Sequence, residues 1–156
     1  MIVINLFIIL FLLFANAFFV ASEFALVSVR QTRIQQLANE GNKTAEIANK
    51  ALSTLDRYIA ATQLGITIAS IGLGWVGEAT LAKLIHPLFE YLPNASSNIA
   101  SHSIATIIAF VLITFMHVVI GELMPKSIAL QYPERTTLIV TRPLVAVANI
   151  LHPLRP

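Results

Sequence analysis

The side chains in this sequence that could hold an ion at membrane depth are almost all oxygen donors. Asn16, Ser22 and Glu23 lie in NAFFVASEFAL, Gln63, Thr67 and Ser70 in ATQLGITIAS, and His117 and Glu122 in MHVVIGELMPK. Gln63, Thr67 and Ser70 follow an i, i+4, i+7 spacing, so a helix presents them on one face. The chain has no cysteine, which excludes thiolate metal sites and disulfide staples. Hard-oxygen ligation with one imidazole nearby suits Mg²⁺, Ca²⁺ or Na⁺ better than Zn²⁺ or Cu⁺.

The run Gly121-Glu122-Leu123-Met124-Pro125-Lys126 adds a mechanical feature. Proline has no amide hydrogen, so the carbonyl four residues earlier, on Gly121, is expected to lack its helical partner. Loosened helix backbone at membrane depth is tolerated where it faces protein or lines a cavity, and there it can hold a cation. The candidate ligand set is therefore the Glu122 carboxylate, the Gly121 carbonyl and the hydroxyls of Ser22, Thr67 and Ser70. Each has a plainer alternative. Serine and threonine in membrane helices often bond back to their own helix, and Glu122 is placed to pair with Lys126 at i, i+4. His117 suits a bond across helices, and Glu23 a pairing with Arg30 or Arg57 or a supporting position behind the ligands. Gly72, Gly74 and Gly77 fit close helix packing or a subunit interface. Tyr58 and Trp75 fit span-end anchors, and Glu78 an outer, solvated end.

These residues need rods through lipid to position them. Hydrophobic residues make up 56% of the 156 and charged residues 12%, against about 45–50% and about 25% in soluble domains. Residues 1–22, 58–77 and 91–121 carry no charged side chain, and each gap meets the ~20 residues of a spanning helix. The expected fold is an all-α membrane protein of one domain, with spans at about 2–27, 58–85 and 104–125. Ala15-Asn16-Ala17 resembles a signal-peptide cleavage site, but no basic region precedes the apolar run and that run continues beyond it, which favours a retained span. A soluble enzyme is not expected, and a net charge of +2 gives no case for nucleic acid.

Lys and Arg number five in 30–57, one in 78–103 and four after the third span. By the positive-inside rule the amino terminus lies outside and the carboxyl terminus in the cytoplasm. Residues 30–57 read as a cytoplasmic helical hairpin with apolar positions Ile34, Leu37, Ile47, Ala51 and Leu55 and a turn at Gly41-Asn42. The stretch YLPNASSNIASHS reads as loop plus helix start. Residues of about 134–151, interrupted by Arg142-Pro143, are too short and broken for a normal span and suit an interfacial amphipathic helix. The ending HPLRP reads as a lead-in to a further region. Counting ~1.5 Å per residue from Arg30, Arg57 and Lys126 puts Ser22, Thr67, Ser70 and Glu122 about 12, 15, 20 and 6 Å deep. Convergence thus requires the third helix to continue inward past Lys126 or to unwind there.

The motifs NAFFVASEFALVSVR, ATQLGITIASIGLGWVGE and GELMPKSIAL, in that order and across nearly the whole chain, resemble the transmembrane domain of the CorC/cyclin M (CNNM) magnesium-transporter family, whose bacterial members also carry a haemolysin-like label. The resemblance implies a homodimer with three spans per subunit, Mg²⁺ efflux with Na⁺ as the proposed counter-ion, and a bacterial inner (plasma) membrane. It implies a dehydrated Mg²⁺ site on Ser22, on Thr67 and Ser70, and on Gly121 and Glu122. Many relatives carry asparagines in the second motif where this chain has Ile66, Thr67 and Ser70. A cytoplasmic pair of ATP-binding CBS domains is expected beyond residue 156. The rival class is a membrane scaffold that anchors and dimerises a regulatory or sensor module; it expects Glu122 paired with Lys126 and Ser22 and Ser70 bonded to their own backbones. A pore-forming toxin fits poorly, because the chain lacks a soluble face on which to wait in water.

Overall fold

The computed structural model describes residues 2–90 and 98–151. Most of the stretch between the second and third spans, residues 91–97, and the ending HPLRP lie outside the described residues. All regular structure among the described residues is helical. Helix α1 is Ile2–Ser28, α2 Gln31–Asn39, α3 Lys43–Ser53 and α4 Leu55–Glu90. Helix α5, Asn98–Met116, passes through a π-helical segment, His117–Leu123, into α6, Met124–Gln131; α7 is Pro133–Leu151.

Three stretches are long and apolar enough to cross a membrane: Ile2–Ser28, Leu55–Pro87 and Ser103–Gln131. The second and third thus run further than the 58–85 and 104–125 expected from the charge gaps. Pro87 lies inside α4, and α6 carries the third span past Lys126, as the depth argument required. Apolar side chains cover the outer faces, as lipid permits. Leu64, Ile68, Ile71 and Trp75 of α4 are exposed, Trp75 at 81%, and form one stripe at helical spacing.

Where the rods meet, they meet closely. Ile9, Leu13, Leu73 and Ile113 form one core cluster between α1, α4 and α5. A Cβ added to Gly65 would stand 2.5 Å from the Phe19 ring, and one on Gly77 2.6 Å from Ile113. Glycine at these positions lets the backbones approach. Gly74, by contrast, faces open space, so the three neighbouring glycines do not share one packing role.

At the other end Leu26, Ala51, Tyr58, Ala61, Leu144 and Ala148 form a second cluster. Tyr58 is therefore buried rather than a span-end anchor, with the Arg57 guanidinium 5.8 Å from its ring centroid. The hairpin forms as its sequence indicates. Asn42 caps α3 by accepting from the Thr44 and Ala45 amides, and Gly41 supplies φ +91° at the turn, a conformation that suits glycine. Its apolar face packs Ile34, Ala45 and Ala48 with Val29 and Leu138. Helix α7 is not interrupted at Arg142-Pro143: it runs unbroken, with Pro143 on an exposed face. Its Val140, Thr141, Leu144 and Ala148 are buried against the rest of the chain, which holds the helix together across the missing amide.

Candidate functional site

The polar residues meet where α1, α4 and the π segment cross. Asn16, 1% exposed, donates from Nδ2 to the Gly121 carbonyl at 2.9 Å. The Ser70 hydroxyl lies 3.3 Å from Asn16 Oδ1 and 3.2 Å from His117 Nε2. An amide oxygen can only accept, so Ser70 donates to Asn16, and His117 Nε2 must then carry the hydrogen that Ser70 accepts. The result is a chain of one polarity, from His117 through Ser70 and Asn16 to the Gly121 carbonyl.

Local sequence explains why that carbonyl is available. Pro125 cannot donate to it, and the proline ring crowds the preceding turn. The backbone widens into a π turn, with the Met124 amide bonded to Val119 five residues back, a local form often found at functional sites. The missing Gly121 side chain completes the fit: a Cβ there would stand 3.0 Å from Asn16 Nδ2, 3.1 Å from His117 Cδ2 and 3.3 Å from Leu13 Cδ1. Gly121 was expected to have a carbonyl without a partner. Asn16 corrects that, because a buried acceptor left bare in an apolar layer is costly and the neighbouring helix carries an amide to fill it.

Of the five candidate ligands, the structure joins Ser70 and Gly121 through Asn16. The others stand apart from this cluster in their hydrogen bonds. Ser22 donates to the Phe18 carbonyl at 2.7 Å and Thr67 to the Gln63 carbonyl at 2.8 Å. Both hydroxyl oxygens keep lone pairs for another donor or a cation. Glu122, exposed, makes no hydrogen bond or ion pair among the described residues, so the alternative pairing with Lys126 does not form. The Lys126 ammonium instead lies 4.5 Å from the centroid of the Phe24 ring. Glu23 likewise forms no ion pair with Arg30 or Arg57: it accepts from Thr62 Oγ1 at 3.3 Å, while Arg30 pairs with Glu134 at 3.2 Å and Arg57 donates to Asn149 at 2.8 Å.

Asn16 is a costly polar group at membrane depth, yet the ligand set expected from the sequence does not include it. The signal was depth. Asn16 lies 14 residues from Arg30 and Ser70 13 from Arg57, about 21 and 20 Å at helical rise, so the two belong to one layer. Gly121 reaches that layer because α6 extends the third rod past Lys126 to Gln131. Ser22 lies six residues nearer Arg30 along α1, about 9 Å from the Asn16 layer. The donors thus lie at different levels along the rods: Ser22 and Gly121 are buried, whereas Thr67 and Glu122, the latter next in sequence to Gly121, are exposed. Among the described residues no group of three or more His, Cys, Asp or Glu could hold a metal ion. Any cation held here would rest on hydroxyl, amide and main-chain oxygens together with one carboxylate, a hard donor set.

Residues 7–155 match the family model described as the cyclin M transmembrane N-terminal domain. Among curated proteins, the chain is 47% identical over 150 residues to UPF0053 protein YrkA of Bacillus subtilis, covering 96% of this chain and 34% of the relative. It is 51% identical over 138 residues to UPF0053 protein YhdT of the same organism, covering 88% and 30%. It is 41% identical over 155 residues to UPF0053 protein YugS, also of B. subtilis, covering 98% and 35%. The chain spans about a third of the length of these curated relatives.

Proposed function

This chain belongs to the cyclin M transmembrane-domain family, and on that premise we propose that it carries Mg²⁺ across a membrane. The observation that carries the reading is the π turn at Gly121, where a main-chain carbonyl without an α-helical donor meets the buried Asn16 amide, next in sequence to Glu122, which forms no ion pair among the described residues. An ion entering from the cytoplasm would shed water onto oxygens of Ser22, Thr67 or Ser70, Gly121 and Glu122. Mg²⁺ prefers about six oxygens at ~2.0–2.1 Å, so dehydration needs donors from all three rods. One carboxylate among neutral oxygens leaves net positive charge at the ion, which favours release.

The wider reading is efflux with Na⁺ as counter-ion, by a homodimer in the bacterial inner membrane. The amino terminus is outside, and α2, α3 and α7 lie on the cytoplasmic side. The basic residues Arg30, Arg33, Lys43, Lys50 and Arg57 support that orientation. In the longer protein that the relatives' lengths suggest, a cytoplasmic ATP-binding CBS pair would follow this domain. The test is Mg²⁺ flux into liposomes holding the purified chain. The wild type is expected to transport, and Glu122→Gln to lose at least tenfold of that rate; unchanged flux in the variant overturns the assignment.

A second reading, a membrane anchor that dimerises a regulatory module, is favoured by Ser22 and Thr67, whose hydroxyls bond to their own helices. Glu122, without an ion pair among the described residues, and the cross-helix bonds of Ser70 count against it. Absence of Mg²⁺ flux in the wild-type chain, with dimerisation intact, selects that reading.

A further inference from the structure

We infer that Asn16 is a latch on the proposed cation site: its side-chain amide holds the Gly121 carbonyl in the ion-free state and opposes the binding of an ion to that oxygen. The inference rests on the Mg²⁺ reading above and adds a positioning residue to it. Asn16 is not among the ligands assigned by sequence.

The geometry is specific. The Gly121 carbonyl has no α-helical donor because of Pro125. The Asn16 amide approaches it at 2.9 Å through the gap left by the absent Gly121 side chain. A carbonyl oxygen has two lone pairs, but an amide N–H held against it presents positive charge where a cation would sit, so the two oppose each other at that oxygen. Asn16 is also held from behind. Its Oδ1 accepts from Ser70, which in turn faces His117, so the amide is oriented by both outer rods of the site.

Burial sets the direction of the effect. At 1% exposure the amide cannot turn to water when displaced, and an unsatisfied buried donor is costly. Ion binding is therefore opposed by the loss of one buried hydrogen bond, and its re-formation helps to expel the ion. A carrier needs binding weak enough to release, and this latch supplies part of that weakness. The three rods are consequently tied together in the empty state and loosened at one point when the ion is in place.

The test is initial-rate Mg²⁺ flux in liposomes for wild type, Asn16→Ala and Asn16→Leu, the leucine keeping nearly the volume of asparagine if the alanine variant fails to fold. Removing the amide is expected to lower the KM for Mg²⁺ by about three- to tenfold, the weight of one hydrogen bond, and to lower the maximal flux as release slows. A residue that only supports the fold would reduce maximal flux without tightening KM. An unchanged or raised KM in folded variants overturns the latch and leaves the Mg²⁺ reading standing. Wild-type liposomes without Mg²⁺ flux overturn both.

Discussion

The ammonium of Lys126 rests on the face of the Phe24 ring, 4.5 Å from its centroid, and not on the carboxylate of Glu122 one turn away in sequence. The contact ties α6 to α1, two elements that pack together. Glu122, in turn, forms no ion pair among the described residues.

A double-mutant cycle should resolve this arrangement. Lys126→Ala and Phe24→Leu are expected to couple by about 0.5–1 kcal/mol, the range of a cation–π contact near a surface. Lys126→Ala and Glu122→Gln should be additive within about 0.5 kcal/mol. Thermal melting in detergent measures both, and strong coupling in the second cycle would restore the Glu122–Lys126 pair.

Close packing of the rods predicts unequal costs for equivalent glycine changes. Gly65→Ala drives a Cβ to 2.5 Å from the Phe19 ring and should destabilise by about 1–3 kcal/mol, as overpacking does. Gly74→Ala meets nothing within 4 Å and gains helix propensity, so its melting temperature should hold or rise. Equal losses in the two variants would contradict the described helix approach.

The hairpin carries a separable stability test. Asn42→Ala removes the acceptor for the Thr44 and Ala45 amides and is expected to cost about 1 kcal/mol. The change should appear as faster hydrogen exchange in α3. Exchange that speeds equally in α1 would show that the hairpin does not open on its own.

The ion pairs at the junction of α1, α2 and α7 should matter little. Glu134 meets Arg30 at 3.2 Å and Arg33 at 3.7 Å, but the Arg30 side chain is 80% exposed. Glu134→Gln is therefore expected to cost no more than about 0.2–1 kcal/mol. The effect should shrink further as salt is raised. A larger, salt-independent loss in melting would mean that this junction is buried in the assembled protein.

The sequence determined the number of rods and their rough limits, because lipid demands about 20 apolar residues per crossing and charge falls where the rods end. It also determined the hairpin turn, through Gly41 and Asn42, and the break at Gly121, through Pro125; these are local effects of φ and of a missing amide hydrogen. Which groups complete that break was a tertiary matter. Tyr58 sits in the core because α3 and α7 close over it, and α7 stays whole across Pro143 because its other side is buried. Asn16 reaches the Gly121 carbonyl only because α1 crosses the π turn at the one level where no side chain intervenes. Helical spacing records which residues share a face of one rod, but not how far neighbouring rods are shifted along one another, and that shift decides which oxygens meet.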